Sequence, residues 1–267
     1  MLTAAALIAI VDYLLAAGLP TWPLFARNNT SLTLQRIALL AASVAVLTHA
    51  TILLSLHRGA LDLHFFAALS LVACVVSALT LVVNIWRPVA ALGGIVFPLS
   101  ALLLAIDTFA APPTTPQPLE WQIKLHVTVA LLAFSVLSIA AVLAILLAVQ
   151  ERALRHRRLG PWLRSLPPLT LTETLLFRLI AAGFLLLTLT LLTGILFVDN
   201  LFGQHLVHKT VLSIIAWLVF GALLFGRWRY GWRGRSAVNL TLVGMGVLLL
   251  AFFGTKAVLE LILHRMP

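Results

Sequence analysis

The sequence predicts an all-α protein: a polytopic integral membrane helical bundle of about eight transmembrane helices in a single transmembrane domain, with both termini on the outer, periplasmic side. Three observations predict it. Of the 267 residues, 62% are hydrophobic and only 10% charged, with a mean hydropathy of +1.10, whereas a soluble globular chain carries about 25% charged residues. The apolar residues fall in stretches reaching the roughly 20 residues that a helix needs to cross the hydrocarbon core, without the period-two alternation of a barrel. The arginines are unevenly shared among the connectors, and that asymmetry sets orientation.

Span 1 is read at residues 2–19. It lacks the positive n-region and small-residue cleavage site of a signal peptide and so reads as a permanent helix. Asp12 lies inside it, and an ionisable group at that depth is costly enough to count as a candidate functional residue; the competing reading is a hydrogen bond from this acid to a neighbouring helix. Span 2 covers 37–56 and contains His49, with His57 just beyond its end. Span 3 covers 61–86, opening with Asp62 and His64 and closing at the Arg87-Pro88 corner. Span 4, at 89–111, carries Gly93-Gly94 for close helix contact and Asp107 near its end.

The proline-rich connector APPTTPQPLE is too short for a domain and too stiff for a helix. It separates four variable N-terminal spans (1–120) from a four-span half (121–265). Span 5, at 121–149, is longer than the bilayer needs and is expected to tilt or project. An arginine-rich segment leads to span 6 at 175–198, the connector DNLFGQHLVHK leads to span 7 at 210–225, and RWRYGWRGR leads to span 8 at 237–263.

Arg27 and Arg36 follow span 1, Arg87 follows span 3, Arg152, Arg155, Arg157, Arg158 and Arg164 follow span 5, and Arg227, Arg229, Arg233 and Arg235 follow span 7. Arg58, Lys124 and Lys209 stand singly at the other ends. The first set is cytoplasmic by the positive-inside rule, which puts both termini of this multi-pass protein outside. The formal net charge of +10 therefore serves topology and lipid headgroups, and nucleic acid is not a predicted partner. Cys74 is the single cysteine and lies within an apolar span, which excludes an internal disulfide or a CxxC site.

That orientation sorts the histidines. His57, His64, His126, His205, His208 and His264 fall at outer span ends or in outer loops, His49 lies in the outer half of span 2, and His156 is cytoplasmic. Neutral imidazole suits a metal or heme iron, and two imidazoles fill both axial positions of a heme. Zinc is the rival, with Asp62, Asp107, Glu120 and Asp199 on the same side as further ligands; so is a bland interfacial role. Lys256 and Glu260 are four apart on span 8 and are expected to pair. A proton-coupled transporter using Asp12, Lys256 and Glu260 is the sharper alternative. Trp22, Trp86, Trp121, Trp162, Trp228 and Trp232 read as an interfacial belt. No phosphate-cradling loop, nucleophile elbow or catalytic carboxylate pair is present, so no catalytic residue is assigned.

Three segments carry a resemblance: LHVTVALLAFSVLSIAAVLAILLAVQ with His126, LFRLIAAGFLLLTLTLLTGILF, and GRSAVNLTLVGMGVLLLAFFGTKAVLELILH with His264. Together, over about residues 121–265, they resemble the membrane cytochrome c assembly family of the CcsA and CcmC type, in its shorter HemX and YpjD branch. The resemblance implies heme b as cofactor, with His126 and His264 at the positions of the family's heme-flanking histidines. The family's tryptophan-rich loop matches here only at Lys209, Thr210 and Trp217, and His208 stands where the family has proline. This implies heme binding near the outer face through His126, His264 and His208 with Trp217 beside them, and a part in cytochrome or heme-protein maturation rather than heme ligation to protein. The implied partners are the lipid membrane and another inner-membrane protein or cytochrome maturation component. The alternative is a non-enzymatic accessory subunit, for example of a metal-ion transporter, with no heme.

Overall fold

The computed structural model describes residues 2–25, 32–56, 65–86, 90–111, 120–156, 168–197 and 207–254, and their regular structure is entirely helical. In chain order the helices are α1 (Leu2–Phe25), α2 (Leu32–Leu56), α3 (Phe65–Trp86), α4 (Ala90–Phe109), α5 (Trp121–Arg155), α6 (Leu169–Phe197), α7 (Val207–Tyr230) and α8 (Arg235–Leu249), the last running into a π-helical turn at Leu250–Gly254. Eight of the described helical segments are long and apolar enough to cross a membrane, as expected from composition. Most are apolar around their whole circumference, the pattern of a helix that faces lipid on one side and other helices on the other.

Several helices run past the predicted spans for local reasons. α5 reaches Arg155 rather than 149 because Gln150, Glu151, Arg152, Ala153 and Leu154 are all good helix formers uninterrupted by glycine or proline. At 35 residues it is about 52 Å long, so its arginine-bearing end projects beyond a hydrocarbon core of roughly 30 Å. α6 starts at Leu169, directly after Pro167-Pro168, where proline is compatible with a helix start but not its interior. α7 continues through Arg227-Trp228-Arg229-Tyr230 and stops where Gly231 takes φ 67°, a conformation that favours glycine and ends helices. Gly234 at φ 53° completes the turn into α8.

The chain divides into two compact units: residues 1–118 with 152–168, and residues 119–151 with 169–267. In the first, α1 packs on α2 and α4, and α3 packs on α4 and α2. Small side chains make this possible: Ala6 and Ala9 meet Ile52 and Leu104 in one core cluster. Gly93, read as a helix-contact residue, faces Asn84 Nδ2 of α3, 3.6 Å from where a Cβ would stand, and also makes room for the Phe97 ring of its own helix, which stacks on Tyr13. In the second unit α6 packs on α7, and α7 on α8 and the π turn. α5 meets α6 where Leu137 lies over Gly183, and meets the π turn where Phe134 contacts Phe252 and Phe253.

Candidate functional site

The second unit brings one end of α5, α6 and α7 together. Along α5 and α6 the contacts run antiparallel, Trp121 against Phe197, His126 against Thr193 and Leu137 against Gly183. Gly183 allows the close approach, since a Cβ there would fall 2.6 Å from the Leu137 side chain. Along α6 and α7 they are antiparallel too, with Thr188 against Trp217, Phe184 against Gly221 and Phe177 against Arg227. The first turns of α5 and α7 and the last turn of α6 therefore lie at one end of the unit. Arg227 lies at the other, donating to Glu173 over 2.8 Å.

His126 is half-buried, and its Nδ1 lies 3.0 Å from Thr193 Oγ1. The ring also has a backbone hydrogen-bond contact with Thr190, whose carbonyl oxygen lies 3.0 Å from Thr193 Oγ1, and no side chain among the described residues meets Nε2. One and a half turns nearer the helix ends, Trp121 and Phe197 meet edge to face with centroids 5.8 Å apart. The register of α7 sets Leu212 level with Thr193, so His208 stands about one turn, roughly 6 Å, further out than His126, and it is exposed.

Trp217 lies deeper. Its indole N–H donates to Thr188 Oγ1 at 2.8 Å, and its ring stacks on Phe184 at 5.4 Å and 19°. Its polar edge and one ring face are thus occupied within the unit. His264, Lys256 and Glu260 lie outside the described residues, as do His57, His64, His205, Asp62 and Asp199.

The first unit holds a second polar centre that the sequence reading did not assemble. His49 on α2 is fully buried, with Tyr13 Oη of α1 3.2 Å from Nδ1 and Ser70 Oγ of α3 3.0 Å from Nε2. Ser77 donates to Ser100 at 2.7 Å across α3 and α4. Asp12, singled out for its depth, is half-buried on α1, and it is its neighbour Tyr13 that turns inward to His49. The signal available in the sequence was a histidine and a tyrosine each alone in an apolar span, polar groups that a bilayer leaves unsatisfied unless another helix meets them.

No group of three or more His, Cys, Asp or Glu is positioned to hold a metal ion among the described residues, so the zinc alternative has no assembled site among them. The donor chemistry at His126 fits a heme iron: a metal-bound histidine characteristically has its second ring nitrogen held by a hydrogen bond, which orients the ring and leaves one lone pair for the metal. His126 has one nitrogen so held and one that no described side chain meets, whereas His49 has side-chain hydroxyls at both nitrogens.

A family model described as Cytochrome C assembly protein matches residues 33–263. The chain is similar to the inner membrane protein YpjD of Escherichia coli (strain K12), 32% identical over 263 residues that cover 96% of this chain and 98% of the relative. It is also similar to an uncharacterized 28.8 kDa protein in the nifR3-like 5′ region of Azospirillum brasilense, 34% identical over 204 residues covering 74% and 73%. Similarity to the cytochrome c biogenesis protein CcsA of Chlamydomonas reinhardtii is 26% over 183 residues, covering 63% of this chain and 49% of that one. No solved structure matches. The family match begins in α2, well before residue 121, so the family likeness takes in helices whose sequence alone showed only general membrane character.

Proposed function

The chain belongs to the cytochrome c assembly protein family, and from that premise we propose that this multi-pass inner-membrane protein holds heme b near the outer face and assists the maturation of cytochromes or other heme proteins. In this reading His126 and His264 would hold the heme iron, with His208 as a third candidate. Heme, when bound, would supply an iron that accepts neutral imidazole.

The chain's own residues do the rest. Thr193 restrains the His126 ring through Nδ1, and Gly183 lets α5 and α6 approach closely enough for that contact. Trp121, itself exposed, meets Phe197 edge to face at the same end and supplies apolar surface there. The observation that carries the reading is the half-buried His126, with Nδ1 on Thr193 and no described side chain at Nε2. The outer assignment of this end rests on the arginines: Arg227, Arg229, Arg233 and Arg235 lie at or beyond the opposite end of α7. The implied partner is another inner-membrane protein or a cytochrome maturation component that delivers or receives heme.

Purification in detergent after heme-replete expression tests the proposal through the Soret band. Wild type is expected to retain heme and the His126→Ala, His264→Ala double variant to lose it. Heme-free wild-type protein, or an unchanged band in the double variant, overturns the reading. A stable partner retained without heme would favour the accessory-subunit alternative.

A further inference from the structure

We infer that Thr193 holds His126 as the Nδ1–H tautomer and so presents the Nε2 lone pair as the ring's ligating atom. The tautomer stands on hydrogen bonding alone, and its use toward heme rests on the reading above. The Thr193 hydroxyl has one proton, and its oxygen lies 3.0 Å from both the Leu189 and the Thr190 carbonyl oxygens one turn back along α6. Carbonyl oxygens only accept, whereas a neutral imidazole nitrogen either donates or accepts.

Two arrangements are therefore open. If the hydroxyl donates to the carbonyls, its oxygen accepts from His126 Nδ1–H, both bonds form, and the unpartnered atom is a lone pair on Nε2. If the hydroxyl turns to Nδ1 instead, the hydroxyl's bond to its own carbonyls is lost and no side chain among the described residues accepts from an N–H at Nε2. The first arrangement keeps the hydroxyl's bond to its own backbone as well as the bond to the ring, and so makes one more hydrogen bond within the protein.

The same helix shows this arrangement where no ambiguity exists. Thr188 donates to the Phe184 carbonyl at 2.8 Å while its oxygen accepts from Trp217 Nε1 at 2.8 Å, and an indole N–H can only donate. α6 thus uses threonine twice in one way, its proton committed to its own backbone and its oxygen offered to the ring of a neighbouring helix. Thr193 is a positioning residue for His126, as the groups behind metal-bound histidines are.

The test uses the full-length heme-free protein, labelled with ¹⁵N-histidine in detergent or nanodiscs, with the His126 resonances identified by their loss in His126→Gln. Wild type is expected to show a protonated Nδ1 and an unprotonated Nε2. Thr193→Val should shift that balance towards Nε2–H, and Thr193→Ser should keep the wild-type pattern. Titration with ferric heme should then give an affinity about 10–100-fold lower for Thr193→Val, restored by Thr193→Ser. A wild-type His126 protonated at Nε2 overturns the inference without recourse to any variant, as does a Thr193→Val protein with unchanged tautomer and affinity. The inferred tautomer in a wild type that binds no heme supports the role of Thr193 and defeats the heme reading instead.

Discussion

His49 and His126 are chemically identical side chains on apolar helices, and the two units treat them in opposite ways. In the first unit His49 is fully buried and both ring nitrogens are taken, by Tyr13 and Ser70. In the second, His126 is half-buried and only Nδ1 meets a side chain among the described residues. The comparison teaches that a membrane histidine's capacity to take a ligand follows from how many of its ring nitrogens the neighbouring helices have already used. Depth and polarity do not decide it. A saturated imidazole ties three helices together; a half-saturated one is oriented and still available.

The sharpest way to break this comparison is to remove each ring's partners. His49→Phe removes the imidazole that the buried Tyr13 and Ser70 hydroxyls meet; Tyr13 keeps its contact with Ser77, and the Ser70 hydroxyl loses this partner at a cost of roughly 1–3 kcal/mol. A clear fall in melting temperature of the detergent-solubilised protein is expected, with the heme content per folded molecule unaltered. If heme content fell while the melting temperature held, His49 rather than His126 would be the ligand.

Gly183→Val comes next. Its side chain would collide with Leu137 and wedge α5 from α6, an overpacking cost of about 1–3 kcal/mol, and it should also separate His126 from Thr193 and lower heme retention. Gly18→Ala is the control, because a Cβ there meets nothing within 4 Å. Equal effects from both would mean that close α5–α6 contact does not matter to His126. The smallest change is expected from Trp217→Phe, which keeps a ring over Phe184 and loses the hydrogen bond to Thr188. Interhelical hydrogen bonds in membranes average about 0.6 kcal/mol. Little change in melting temperature and none in the His126 tautomer would keep the two threonine contacts independent.

Much of this was legible from the sequence. The helices followed from stretch length and composition; the missed extension of α5 lay where good helix formers continue past the apolar run, whereas α6 and α7 run through threonine, tryptophan and tyrosine out to Pro168 and Gly231. His126 was reached through its likeness to family members rather than through its surroundings. The Tyr13–His49–Ser70 centre was not legible, because its contacts span 36 and 21 positions and no spacing rule links them. Nor were the roles of Thr188 and Thr193, which read in sequence as ordinary members of a threonine-bearing apolar helix.

Hydrophobicity and helix length are properties of local sequence, so the sequence by itself determined that this is a membrane protein with apolar spans of bilayer length, and which of their connectors concentrate arginine. Which histidine is sealed and which keeps a lone pair depends on the hydroxyls that other helices bring within 3 Å or so, and those come from distant positions in the chain. Only the tertiary structure decided that, because an imidazole has two nitrogens and its chemistry is settled by whatever meets each of them.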